Sequence, residues 1–373
     1  MRALVNLFRH VKSAIGFVNL PAEHRQLVFY SEGKNYWVHL EGIVNEILAT
    51  SDVPVCYLTS DKNDPGFHLK HQGFQSFEID DGPVRDWLFQ NMEAGVVVMT
   101  MPDIDQYQVK RSKHNVHYVY LQHSLVSLHM VYRKGAFDAY DTIFCAGPHH
   151  LEEVRAIEAH YNLPPKMLVE HGYARLDDIQ KEAKARPLKA DEQAAPKHIL
   201  LAPSWGPEGT IESGLGDTLV SRLIEQGYRV TLRPHPQTMK FAKRKIETIV
   251  SKHGNNSLFA CEVDVAGQES LHESDLMISD WSGAALDYSF GLDKPVLFID
   301  VPRKVNNPEY DQIEIKPFEV MFREKSGVIE DGFELSGTPE QSAFSAEDHV
   351  FNVGHSAEVG AKEILKILEA IQP

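Results

Sequence analysis

Cysteine is scarce: Cys56, Cys145 and Cys261 are the only three in 373 residues, and each stands alone in an apolar, strand-like run. That spacing builds neither a disulfide framework nor a Cys-x-x-Cys metal site, and it fits a reducing compartment. No uninterrupted apolar stretch reaches the ~18 residues that a membrane-spanning helix needs. Arg9, His10 and Lys12 break the first apolar run, so it does not read as a secretory signal. A cytoplasmic protein is the expectation. Positive charge is also in short supply, since 37 Lys and Arg against 53 Asp and Glu leave a formal net charge of -16. Such a surface opposes a docked polyanion, and no nucleic-acid partner is expected. Several catalytic signatures are missing as well: His-Glu-x-x-His, Gly-x-Ser-x-Gly, the Walker A loop and Gly-x-Gly-x-x-Gly. Nineteen histidines occur without a recurring ligand spacing. Zinc-hydrolase, serine-hydrolase, P-loop and nicotinamide chemistries thereby lose their usual marks, and neither a metal nor a cofactor is expected.

What is present is a 43% hydrophobic chain, long enough for two cores. Short apolar runs read as buried parallel strands at QLVFYSE, VPVCYLTS, AGVVVMTM, NVHYVYLQ and DTIFCAG in the first half. A second alternating series follows at HILLAPSW, YRVTLRPHP, DLMISD and KPVLFID, with helical stretches between them and a long amphipathic helix at the end. Apolar periodicity lapses between Ile179 and Lys197. The expectation is an α/β protein with two doubly wound, Rossmann-like domains, 1–180 and 197–373. Ligands of such sheets bind beyond the carboxyl ends of strands. His123, Ser204, Arg233, His235, Asp280 and Ser282 all fall at such places.

The stretch DLMISDWSGAALDYSFGLDKPVLFID turns a buried strand into a helix through Ser279, Asp280, Ser282 and Gly283. A helix start offers unpaired N–H groups and a partial positive charge, which attract anions. Gly283, Ala284 and Ala285 would let a diphosphate reach those groups, and position 285 lacks the capping-box acid that would compete. The same residues also suit a plain N-cap at Ser282 with close helix–strand packing. In TLRPHPQT, Pro234 and Pro236 fix the backbone around His235. Arg233 matches phosphate bidentately, and a cationic His235 would stabilise charge on a leaving phosphate. A histidine satisfied by its own backbone is the alternative. His123, after an apolar strand of the first half, suits a general base removing a proton from an attacking hydroxyl. His149 and His150 follow Pro148 at a helix start and read as surface or capping residues.

The first twenty residues place Leu4, Leu7, Phe8, Val11, Ile15 and Val18 on one helical face, with Arg2, Arg9 and Lys12 off it and no acid. Such a helix either lies on an anionic membrane surface or packs on its own domain.

From about Val119 to Ile299 five ordered segments, LQHS, EHGYARLD, ILLAPSW, LRPHP and SDLMISDWSGAALDYSFGLDKPVLFID, resemble motifs of a known family. It is the CDP-glycerol glycerophosphotransferase family, the teichoic acid polymerase and primase group of GT-B-fold transferases. The resemblance implies a cleft between an acceptor-side first domain and a donor-binding second, and an inverting transfer that requires no metal. His123 would be the base on the acceptor hydroxyl and His235 a contact of the donor phosphates. Ser279, Asp280, Ser282 and Gly283 would line the diphosphate and cytidine region, with Asp287 nearby and Arg233 and Ser204 in support. The implied partners are CDP-glycerol and a glycan or lipid-linked acceptor, with peripheral membrane attachment through residues 1–20. Two alternatives keep the fold: a glycosyltransferase using a CMP- or UDP-linked sugar, and a non-catalytic nucleotide-binding protein. The chain departs from the family pattern at Ser124, where a glycine follows the histidine, at Gly206, and at Trp281 and Gly283, which replace tyrosine and serine.

Overall fold

The computed structural model describes residues 2–186, 196–263, 269–326, 328–329 and 345–371. Seven strands form the first sheet: β1 (Leu27–Ser31), β2 (Val55–Thr59), β3 (Phe74–Glu78), β4 (Val96–Met99), β5 (His117–Leu121), β6 (Thr142–Cys145) and β7 (Met167–Glu170). They pair in parallel in the order β3-β2-β1-β4-β5-β6-β7. A second sheet contains β8 (His198–Leu201), β9 (Arg229–Leu232), β10 (Phe259–Cys261), β11 (Leu276–Ser279), β12 (Val296–Ile299) and β13 (Val328–Ile329), in the order β10-β9-β8-β11-β12-β13 and again parallel. Both sheets are doubly wound, with the strand order reversing between β1 and β4 and between β8 and β11. The strands beside these switch points, LVFYS, VVVM, HILL and LMIS, are buried throughout. Helices cover both faces of a parallel sheet, so its central strands run apolar instead of alternating, with Ser31, His198 and Ser279 only at strand ends.

The C-terminal helix Ser356–Ile371 corrects the expected extent of the second domain. Its Ala361, Ile364, Ile367 and Leu368 pack with Leu27, Phe29, Val96 and Val98 of the first sheet and with Ile43, Val44 and Ile47 of the helix Trp37–Thr50. The cause is its apolar stripe, whose Ile364, Ile367 and Leu368 stabilise this docking by roughly 1.5–3 kcal/mol each before entropic costs. Its first turn is tied down where Ser356 Oγ accepts from the Tyr173 amide at 2.9 Å and Asp177 accepts from the Ser356 amide at 2.9 Å.

The two sheets share a seam. Leu125, Val126, Ala146, Tyr173 and Leu176 of the first half form one buried cluster with Leu200, Ala202, Met277, Ala285, Leu286 and Tyr288 of the second. At the N-terminus the helix Arg2–Val18 buries Ala14 and Phe17, the latter edge-on to Phe77 of β3 at 5.7 Å. Of the expected apolar face, Leu7, Phe8, Val11 and Ile15 point to solvent and Val18 packs inward, while the side chain of Leu4 lies outside the described residues. Among the described residues no helix is long and apolar enough to cross a membrane.

Candidate functional site

The first half contributes His123, two residues beyond β5. Its ring sits among Tyr36, His39, Tyr120 and Tyr132, at centroid distances of 5.9, 5.7, 6.3 and 6.4 Å. Tyr120 Oη lies 3.3 Å from Nδ1 and orients the ring, while Tyr173 Oη donates to the His123 carbonyl at 3.0 Å. Burial pushes the imidazole down to about 4, so it is neutral near pH 7. The segment that follows is clamped by side chains of the helix Pro148–Tyr161. His149 and His150 hold the Leu125 and Val126 carbonyls through Nε2 at 3.0 Å each, and Glu153 accepts the Leu128 amide. The expectation of surface or capping histidines at 149–150 is therefore corrected: both are buried, because the loop carbonyls need donors that the apolar seam does not otherwise supply.

The second half contributes the turn after β11 and the helix Gly283–Leu292. Ser282 is its N-cap: Oγ accepts from the Ala284 amide at 3.3 Å, and the Ala285 amide bonds the Ser282 carbonyl at 3.1 Å. The expectation that all three opening amides stand ready for a ligand is thus corrected. Gly283 alone keeps an amide with no acceptor among the described residues. Two further expectations change in role. Asp280 does not face outward; it accepts from the Ser204 amide at 2.6 Å, the Thr210 amide at 3.3 Å and Thr210 Oγ1 at 2.8 Å, and so fixes the loop after β8. Ser279 is fully buried and donates its hydroxyl to the Ala202 carbonyl at 2.8 Å, as a side chain at a strand's last position must when its neighbour strand covers it. Ser204 is buried beside Asp280.

His235 caps the short helix Pro236–Phe241. Its Nδ1 accepts from the Gln237 amide at 3.1 Å, which puts the proton of the neutral ring on Nε2. Burial, and next the Lys304 ammonium, push it down to about 4, with Asp280 opposing. The sequence-based expectation of a cationic His235 is thereby corrected to a neutral hydrogen-bond donor. Arg233 bonds Ser270 Oγ at 3.4 Å and lies 3.8 Å from Glu262. Asp287, on the Gly283–Leu292 helix, faces Arg175 and Tyr173 of the first half together with Arg233; burial pushes its carboxyl up to about 7 against those two cations.

The two halves meet at this turn. A Cβ on Gly283 would lie 2.6 Å from Ser124 Oγ and 3.4 Å from Val126 Cγ1. Ser124 follows His123, and Gly283 is three residues from Asp280, whose charge acts on His235. Three residues of chain span at most about 11 Å, so the residue after His123 and the carboxylate that acts on His235 belong to one turn. The departures at 124 and 283 also compensate one another. Where the family pattern has glycine then serine, this chain has serine then glycine, and the Ser124 hydroxyl occupies the space that a Gly283 side chain would fill. Tyr36, His39, Tyr120, Tyr132 and Lys304 were not singled out by the sequence. Tyr173 and Arg175 lie inside EHGYARLD and Trp205 inside ILLAPSW, without separate roles there.

A family model described as CDP-Glycerol:Poly(glycerophosphate) glycerophosphotransferase matches residues 20–304. Among solved structures, the wall teichoic acid polymerase TagF aligns over 100% of this chain and 97% of its own, with 15% identity and a TM-score of 0.57. The UDP-GlcNAc 2-epimerase of Methanocaldococcus jannaschii in complex with UDP-GlcNAc and UDP aligns over 92% and 99%, with 13% identity and a TM-score of 0.59. The S. aureus MnaA–UDP structure aligns over 92% and 97%, with 11% identity and a TM-score of 0.58. No curated protein sequence matches the chain. At these identities the solved structures establish the GT-B architecture, which hosts more than one reaction. The family match, which spans most of the chain and every element of the turn just described, settles the class: the chain is a transferase and belongs to the CDP-glycerol:poly(glycerophosphate) glycerophosphotransferase family.

Proposed function

We propose that the chain transfers glycerol phosphate from CDP-glycerol to a hydroxyl of a glycan or lipid-linked acceptor in cell-surface polymer synthesis. The observation that carries this reading is the contact of the His123 loop with the first residue of the Gly283–Leu292 helix. It sets a proton acceptor of one half against an unpaired amide of the other. In the tautomer that donates Nδ1–H to Tyr120 Oη, 3.3 Å away, the lone pair of His123 is on Nε2. The acceptor oxygen forms a bond to the phosphorus that carries glycerol, and its proton passes to Nε2. The bond from that phosphorus to the bridging oxygen breaks, and CMP leaves with the electron pair. The Gly283 amide and His235 Nε2–H are the donors placed to meet the charge on the departing phosphate. Asp280 and Ser279 act behind the surface by holding the loops in place.

Lipid contact through the first helix belongs to the same reading. It is supported by Leu7, Phe8, Val11 and Ile15, which are 44%, 72%, 38% and 51% exposed on one side of the helix while Ala14 and Phe17 anchor the other. Arg9 is committed to Glu78 at 2.7 Å, which leaves Lys12 as a cation for an anionic headgroup layer.

Thermal-shift titration with CDP-glycerol, CMP-sialic-acid-type and UDP-linked sugars, followed by phosphorus NMR of the products, tests the donor. CDP-glycerol should stabilise the protein and release CMP when a hydroxyl acceptor is present. Stabilisation by a nucleotide sugar with none by CDP-glycerol would replace this donor with the other.

A further inference from the structure

The structure assigns Lys304 as a phosphate-binding cation of the donor site, the partner that supplies the positive charge which His235 does not. This assignment rests on the donor reading above and adds to it a residue outside the motifs that suggest it.

Lys304 stands in the loop that leaves β12 and turns back over the carboxyl edge of the second sheet. Its Nζ lies 4.6 Å from the centroid of the Trp205 ring, which comes from the loop after β8, and Trp205 in turn lies 6.1 Å from His235 after β9. Three strand ends thus converge on one ammonium group. That group has no hydrogen-bond acceptor among the described residues. Its electrostatic neighbours are Asp280 and Glu212, and neither is hydrogen-bonded to it, although Glu212 Oε2 has no partner of its own. Asp280 is bonded to the Ser204 and Thr210 groups, and Glu212 accepts from Thr238 Oγ1 at 2.7 Å. A half-buried ammonium with only a ring face for company carries unused donors, each of which is costly to leave unmade. Burial accordingly pushes its pKa down.

Beside it, His235 offers Nε2–H, because Nδ1 is occupied by the Gln237 amide. Two donors without acceptors, next to one aromatic face and both under the charge of Asp280, two residues before Ser282, make a hollow suited to a phosphate oxygen. Proximity of Lys304 is one reason His235 stays neutral. The two residues therefore divide the work, with charge from the lysine and a directed hydrogen bond from the histidine.

The test uses the full-length protein and CDP as the probe, by isothermal titration, with cytidine as a reference lacking phosphate and UDP as a second diphosphate. Lys304→Gln should weaken CDP about tenfold or more and flatten its salt dependence, with cytidine affinity unchanged, and Lys304→Arg should retain most of the CDP affinity. Equal CDP affinity in wild type and Lys304→Gln overturns the assignment. So does a parallel loss of cytidine, which would make Lys304 a structural residue. If the wild type binds UDP and not CDP, and Lys304→Gln loses UDP, the phosphate assignment stands and the cytidine donor falls. Failure of the wild type to bind either diphosphate overturns both.

Discussion

Glu319 offers a measurable consequence of how the two halves are joined. It opens the helix Phe318–Ser326 and is 6% exposed, and its carboxylate oxygens are only loosely approached by the Glu319 and Ser127 amides, with no full hydrogen bond to either oxygen. The nearest charge is Glu153 of the first half, itself buried and committed to the Leu128 amide and His129. Burial, and next the Glu153 charge, push Glu319 from the ordinary 4.5 up to about 8. The native protein then keeps a proton that the unfolded chain releases near 4.5. Stability contributed by this group is complete below that pH and is lost as pH rises toward 8. At pH 7 the accumulated loss is the difference between 7 and 4.5 at about 1.4 kcal/mol for each pH unit, or about 3 kcal/mol. Glu319→Gln keeps the shape and cannot ionise. It should stabilise the protein strongly at about pH 7.5 and little at about pH 5. Urea denaturation of both proteins at the two pH values measures the difference. An advantage of equal size at both would mean that Glu319 is ionised in the native state, and the linkage argument would fail.

The contact between Ser124 and Gly283 should behave as a coupled pair. Gly283→Ser alone forces a side chain into the Ser124 hydroxyl at a cost of about 1–3 kcal/mol; adding Ser124→Gly should restore most of the melting temperature and activity, and a double variant no better than the single would refute the compensation. His123→Ala should lower turnover by about 10²-fold or more while CDP affinity stays the same, and unchanged turnover would remove His123 from the chemistry. In the free protein the His123 imidazole should titrate near 4, by proton NMR, and move upward when CDP is added; an unmoved midpoint would separate it from the donor. Replacing Leu7 and Phe8 by glutamine should abolish sedimentation with vesicles containing anionic lipid and leave the melting temperature unchanged, because both side chains face solvent; retained sedimentation would send the search for a lipid contact elsewhere.

Among the described residues, nine of the thirteen strands stand out in the sequence, and the four that do not, β3, β7, β10 and β13, are the edges of the two sheets. An interior strand is covered on both faces and must run apolar, whereas FQSFE and MLVE, half exposed, need not. The turn at Asp280 to Gly283 was legible for a similar reason, since small residues at a strand-to-helix junction are rare without cause. What the turn does with each side chain was not. Whether Asp280 points at a ligand or at Thr210 depends on a loop seventy residues earlier, and no local pattern encodes that pairing. His149 and His150 show the same limit from the other side, for a histidine at a helix start is a surface residue unless another segment brings it carbonyls to bond. Lys304 was harder to reach: it stands farther beyond β12 than the other candidates stand beyond their strands, and nothing around it in sequence resembles a binding motif.

The pairing of a neutral His123 with a charged donor has a consequence for the order of events. Among the described residues nothing acidic orients this imidazole; its ring partner is the Tyr120 hydroxyl and its surroundings are tyrosines and His39, so burial sets its proton affinity, and sets it low. Such a group is a poor base while the cleft is empty. A negative charge about 6 Å away contributes about 3 kcal/mol at an effective dielectric constant of 20, roughly a hundredfold in proton affinity. A diphosphate seated at the Gly283 turn brings at least one such charge to the far side of the Ser124 contact. Under the proposed function the donor would be not only the source of the transferred group but also what makes His123 basic enough to take the acceptor's proton. An acceptor hydroxyl that arrives first meets an imidazole with little affinity for its proton, which favours binding of the donor before reaction and protects the empty site from spending its base on water.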